Sequence, residues 1–283
     1  MSNVLFDAPG PRALVRHRYI GALTLLAVVG IFAFIVYRFV ETNQFTAQKW
    51  ELFTISYVHG KIIEATVATL QAFAVAAVLS IVLGLLLMVG RVSRHKWISA
   101  PTYLFVELFR AVPLLILMMI MYYGLPPLGF TFVTPFIAVV TSLTLYNGSV
   151  LSEVFRAGIE SLPKGQSEAA YAIGMTKTQV MRMILVPQAI RAMAPVIVSQ
   201  LVVVLKDTAL GFIVTYQELL FLAKSYGTQG NYGSPIIPST IVVAAIYISL
   251  CLLLAGVAKY IEIRTKRVPG KATKVQELVN EAA

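Results

Sequence analysis

Lys206 and Asp207 are adjacent ionisable residues well inside an apolar run that extends from about residue 192 to 215. Charged groups at that depth of a bilayer are costly and usually face a cavity or a partner. An ammonium group suits a carboxylate and a carboxylate suits an amino group, so contact with a solute is one reading. A buried ion pair, or a lysine hydrogen-bonded to neighbouring helices, is the other. Adjacent residues point roughly 100° apart on a helix, so the two need not serve one ligand. Thr208 and Gly211 follow and predict an irregular helix there. Tyr146, Asn147 and Ser149 lie at similar depth in an earlier run, where they would either hydrogen-bond a solute or pack. Glu107 with Arg110, and Glu153 with Arg156, have i, i+3 spacing near helix ends. They read as interfacial ion pairs, with Arg110 and Glu153 as further gate or interface candidates.

Other chemistry is missing from the sequence. It has no Gly-x-x-x-x-Gly-Lys-Ser/Thr phosphate loop and no His-Glu-x-x-His pair. His17, His59 and His95 are scattered outside the apolar runs, and Asn147-Gly148-Ser149-Val150 is not a nucleophile elbow. Cys251 stands alone in an apolar run, so no disulfide framework or thiol-rich metal site is expected. The chain reads as a protein without catalysis, cofactor or metal of its own.

The elements that must position these residues are membrane helices. Of 283 residues, 58% are hydrophobic and only 13% charged, the composition of an integral membrane protein. Six spans are predicted, at about 19–40, 62–90, 104–124, 134–155, 192–215 and 236–258. The net charge of +10 does not point to nucleic acid, because the basic residues gather beside the apolar runs. With the N-terminus inside, 17 of the 23 Lys and Arg fall on the cytoplasmic side, so both termini are expected there. The apolar segment after Arg18 lacks a small-residue cleavage site and reads as a span, not a signal peptide. Residues 41–60, with Trp50, Phe53 and Tyr57, suit an interfacial helix or a plain linker on the outer face. The stretch after Thr215 suits a short external helix and loop.

Alternating apolar runs leave one polar insert unexplained, at about residues 156–191 on the cytoplasmic side. Ser161 is expected to cap a first helix with Pro163 in its first turn, running to about Ile173. Gly174 suits the left-handed position past a helix end, and Thr176 with Gln179 has capping-box spacing for a second helix. The insert therefore predicts two short helices meeting at a fixed corner, with Ala169 and Ala170 presenting little side chain to an approaching surface. In the second span, Ala68, Ala72, Ala76, Ser80 and Gly84 recur every four residues, a ladder for close helix packing or for a helix gliding along that face.

Glu168-Ala169-Ala170, three residues, Gly174, nine residues, then Ile184 and Pro187 resembles the EAA loop of bacterial ABC importer permeases, with Val186 where that pattern has Leu. The stretches at Phe109–Leu115, Ser152–Ile159, Gly165-Gln166, Pro187–Arg191 and Lys206–Leu210 are similar to the polar amino acid branch. Departures stand at Ala111, Val112 and Ala209. The resemblance covers about residues 62–262, and the extra first span and charged tail are similar to actinobacterial glutamate-uptake permeases.

The resemblance implies an all-α membrane protein with a permease core, working as a non-enzymatic importer subunit in a bacterial cell membrane. It implies as partners an ABC ATPase dimer in the cytoplasm, a second permease (homologous or a copy of itself) and an extracytoplasmic amino-acid-binding protein, alongside membrane lipid. Glu168, Ala169, Ala170, Gly174 and Pro187 are then the ATPase-coupling residues. Lys206, Asp207, Thr208, Asn147, Arg110 and Glu153 are candidates for the substrate pathway, and glutamate is the first substrate expected. The expected organisation is a cytoplasmic tail over 1–18, an extra span and external segment over 19–61, the permease domain over 62–262 with its coupling loop at 156–191, and a cytoplasmic tail over 263–283. The rival class is a secondary transporter or channel for small polar solutes, which would need no ATPase.

Overall fold

The computed structural model describes residues 10–266, with the side chains of 11 and 261–266 not described, so residues 1–9 and 267–283 of the two expected tails lie outside the described residues. All regular structure among them is helical. The long apolar elements are α1 (Pro11–Glu41), α3 (Ser56–Arg91), α6 (Pro135–Glu160), α9 (Val186–Asp207) and α11 (Ile236–Lys266). Between them lie α2 (Ala47–Glu51), α4 (Lys96–Ala111), α5 (Leu114–Met119), α7 (Lys164–Ala172), α8 (Lys177–Gln179) and α10 (Leu219–Gly227).

Among the described residues five helices are individually long and apolar enough to span a bilayer, and a bent pair is the candidate for a sixth span. The span expected at 104–124 is not one continuous helix. α4 and the helical stretch Leu114–Gly124 meet at 99°. The physical reason is Pro113, whose ring disfavours helical geometry in the residue before it. Val112 is accordingly extended, with φ −79° and ψ 124°. Glu107 and Arg110 thus sit near the end of α4, beside the break in the span, their charges 3.4 Å apart.

The small-residue ladder lays α3 against α6. Ala72, Ala76 and Ser80 are fully buried, and the Ser80 hydroxyl donates to the Leu143 carbonyl at 3.4 Å. At Gly84 a Cβ would come within 2.9 Å of the Leu151 Cβ, so only glycine allows this approach. The ladder is a packing seam. Around it, Ala72, Ala76, Leu114, Met118, Val139, Leu143, Val204, Val214 and Tyr216 form the main core, drawn from α3, α5, α6, α9 and the turns after α9. By contrast, the apolar stretch of α1 buries none of its surface within the chain. The segment after it is a five-residue helix and a short 3-10 turn, whose Leu52 packs with Val58 and Tyr226.

Candidate functional site

The insert at residues 156–191 folds as the cornered pair of helices expected, with one correction at its start. Ser161 closes α6 and its hydroxyl donates back to the Gly158 carbonyl at 2.8 Å, so it does not cap α7. α7 begins after Pro163, without a side-chain cap. At its other end Gly174 is left-handed, φ +82°. The Gly174 amide donates to the Tyr171 carbonyl at 3.0 Å and the Met175 amide to the Ala170 carbonyl at 3.1 Å. This pair of bonds satisfies carbonyls that a helix end otherwise leaves open. The chain then enters α8 through a complete capping box. The Thr176 side chain accepts from the Gln179 amide and the Gln179 side chain accepts from the Thr176 amide.

The corner is also packed from beneath. Ala170 is buried and joins Val180 and Leu185, with Ile159, Leu162 and Met175 around them. Ala170 therefore holds the two helices together, and the outward face is left to Glu168, Ala169 and Ile173, the last 79% exposed. Beyond α8 the chain passes through a π-helical stretch, Val180–Leu185, before Pro187, which sits exposed in the first turn of α9. A wider turn next to a residue without an N–H is a common accommodation. The Lys177 ammonium donates to the Val92 carbonyl at the end of α3, 2.7 Å away, tying the insert to the bundle.

Charged residues lock the bundle just above the insert. Glu153 lies between Arg156, 2.9 Å away, and Arg91 of α3, 2.8 Å away. The i, i+3 pair was legible in the sequence and the Arg91 arm was not, since the two residues are far apart in the chain. Arg156 also pairs with Glu160. With all its close partners cationic and two helices involved, Glu153 is a clamp between α3 and α6.

Deeper in the bundle, the candidate pathway residues separate. Lys206 is exposed, Asp207 is half-buried, and no ion pair joins them. Asn147 is fully buried; its amide donates to the Leu143 carbonyl at 3.0 Å and its oxygen accepts from Gln200 of α9 at 2.8 Å. Its hydrogen bonds join α6 to α9, which is a packing role. Thr208 is also fully buried, where α9 tightens into a 3-10 stretch, Thr208–Val214, as the irregular sequence predicts. The Thr208 hydroxyl donates to the Leu205 carbonyl at 2.6 Å and lies 3.4 Å from the Tyr247 hydroxyl.

Tyr247 belongs to a cluster the sequence reading missed. It donates to Glu218 at 2.8 Å, and the Glu218 carboxyl accepts the Leu220 and Phe221 amides at 2.7 Å each, capping α10. Thr69 of α3 accepts the Leu219 amide at 3.3 Å, and Tyr216 donates to the Ala68 carbonyl at 2.7 Å. Glu218 is fully buried, and burial pushes its carboxyl up to about 7 against the pull of the two amides and the tyrosine. A Glu directly before the apolar run Leu219–Leu222 is a sequence signal for a cap, but nothing in the sequence says that the cap is buried.

A polytopic helical bundle with one broken span, a rigid two-helix corner at one end and ionisable residues in its depth is a membrane transport permease. The chain belongs to the family described as binding-protein-dependent transport system inner membrane component, whose pattern matches residues 78–267. It is thus a multi-pass membrane permease subunit of an ABC importer and not itself an enzyme. It is 38% identical over 239 residues to the glutamate transport system permease protein GluD of Corynebacterium glutamicum, covering 82% of this chain and 84% of that one. It is 33% identical to the arginine transport system permease protein ArtQ of Bacillus subtilis, covering 72% and 92%. Among solved structures, an amino acid ABC transporter determined with histidines aligns over 75% of this chain and 98% of its own, with a TM-score of 0.68 and 27% identity.

Proposed function

We propose that this permease carries a polar amino acid, glutamate first, into the cell, driven by ATP hydrolysis in a separate ATPase docked on the α7–α8 corner. The single observation that carries the coupling is the corner's rigidity. Gly174 is left-handed, both helix ends are capped, and Ala170 is buried beneath them, so a push on Glu168 and Ala169 moves α9 and does not dissipate in a loop. Both termini and the insert then face the cytoplasm, as the distribution of Lys and Arg supports. A second permease, homologous or a copy of this chain, completes the pathway, and an external binding protein delivers the solute. Lys206, exposed on α9 next to the 3-10 stretch, is the group that meets the solute's carboxylate. Being a plain ammonium, it suits any amino acid, and the relatives named for glutamate and arginine fit that. Glutamate is favoured by the glutamate permease relative, 38% identical over 82% of this chain.

The test is uptake in proteoliposomes containing the chain with its permease partner, ATPase and binding protein. Radiolabelled glutamate should enter only with ATP inside, and in a panel of amino acids glutamate should compete best. Uptake that persists without the ATPase would sink the reading.

A further inference from the structure

A cavity of about 590 Å³ lies where the end of α3 meets α8 and the π-helical stretch after it. Its wall is apolar, with Leu85, Met88 and Val89 on one side and Met181 and Val186 on the other. Its rim is basic, with Arg94, Lys177 and Arg182, and no carboxylate lines it. Neighbouring Arg91 is already neutralised by Glu153 and lies over the Tyr103 ring. Arg94 and Arg182, both exposed, enter no ion pair or hydrogen bond among the described residues, and Lys177 donates one N–H to the Val92 carbonyl. We read this level as a bilayer boundary, because one candidate span ends at Arg91 and the helical run of another begins at Lys177. Trp97, 94% exposed three residues past Arg94, is the side chain that favours such a boundary. From the cavity the apolar wall runs on to Leu86 and Val82, which face outward on α3.

Basic groups without counter-charge above an apolar trough open along a span match one ligand chemistry: a phosphate or other anionic headgroup with acyl chains beneath it. We propose that this cavity is a binding site for one anionic phospholipid, its headgroup held by Arg94 and Arg182 and its chain laid along Leu85 and Val89. The lipid would brace α8 against α3 at the point where Lys177 already ties them, and so stiffen the insert. This site goes beyond the transport reading and stands whether or not glutamate is the cargo.

The probe is phosphatidylglycerol brominated in its acyl chains, titrated into the full-length chain in neutral detergent, with Trp50→Phe leaving Trp97 as the reporter. Quenching should saturate at a lower mole fraction with phosphatidylglycerol than with brominated phosphatidylcholine. Arg94→Gln and Arg182→Gln should each weaken it about five-fold, equivalent to ~1 kcal/mol per basic group. Lys96→Gln, a neighbouring charge that does not line the cavity, should leave it unchanged. Both arginines are exposed, so neither change disturbs packing. Equal quenching by the two lipids, an equal loss in Lys96→Gln, or displacement by millimolar inorganic phosphate would overturn the proposal. Complete displacement by the ATPase subunit would do so too, assigning the cavity to that partner. No transport is measured, so failure here is separate from failure of the importer reading.

Discussion

The corner at Gly174 and the cluster around Glu218 are both fixed by hydrogen bonds, yet they are built in opposite ways. Every bond that shapes the corner joins residues within five positions: Ala170 with Met175, Tyr171 with Gly174, Thr176 with Gln179. The cluster around Glu218 draws Thr69, Thr208, Glu218 and Tyr247 from α3, the end of α9, the start of α10 and α11. A corner made of local bonds keeps its shape while it moves as a unit. A cluster made of distant ones holds the spans in one arrangement, and must loosen if they are to rearrange.

That contrast predicts where mutations act, and the largest effect belongs to the cluster. Glu218→Leu leaves two amides and a tyrosine hydroxyl without an acceptor, which should cost about 3 kcal/mol or more. Thermal unfolding in detergent measures this; an unchanged midpoint would mean that the cluster is not structural. Glu218→Gln sharpens the point through pH. Burial raises the folded carboxyl from 4.5 to about 7, so the folded state keeps a proton that the unfolded chain releases. The stability it contributes is full below about 4.5, declines as pH rises and is lost above about 7. The wild type should therefore lose more stability than Glu218→Gln between pH 5 and pH 8.

Lys206→Ala is next, and it breaks the comparison from the transport side. Uptake should fall on the order of 100-fold, as for loss of a charged hydrogen bond, while assembly and unfolding stay as in the wild type. Wild-type uptake would remove Lys206 from the pathway.

Changes at the corner should be smaller in stability and specific in kind. Gly174→Val meets open space around its Cβ but must hold φ +82°, a backbone penalty of roughly 1–2 kcal/mol. It should uncouple ATP hydrolysis from uptake, read as ATPase turnover per solute moved; normal coupling would refute docking at the corner. Thr176→Ala removes one arm of the capping box, worth about 1 kcal/mol, and should lower coupling efficiency only slightly.

The corner was largely legible because its signals are local residue types: a glycine where a left-handed residue is needed, and a threonine three before a glutamine. Even so, Ser161 was misplaced, since a serine between two helices can close the first or open the second, and packing of α6 chose the first. The bend at Val112-Pro113 had its signal in the sequence too, but the apolar run continued through it and hid the break. Asn147 was legible only in part. Its depth in a span was legible, and the direction it faces was set by Gln200, 53 positions away.

Composition and the spacing of apolar runs determined by themselves that the chain is a helical membrane protein. Residue types at Gly174, Thr176 and Gln179 determined its cornered insert, because helix caps and left-handed turns depend on a few adjacent residues. The alanine ladder determined that α3 would pack closely. Only the tertiary structure decided that the ladder's partner is α6, that Arg91 completes the Glu153 clamp and that Glu218 is buried under Tyr247. It also brought Arg94 and Arg182, unpaired among the described residues, over one apolar cavity. These depend on which helix faces lie together, and that is settled by the packing of all the spans at once.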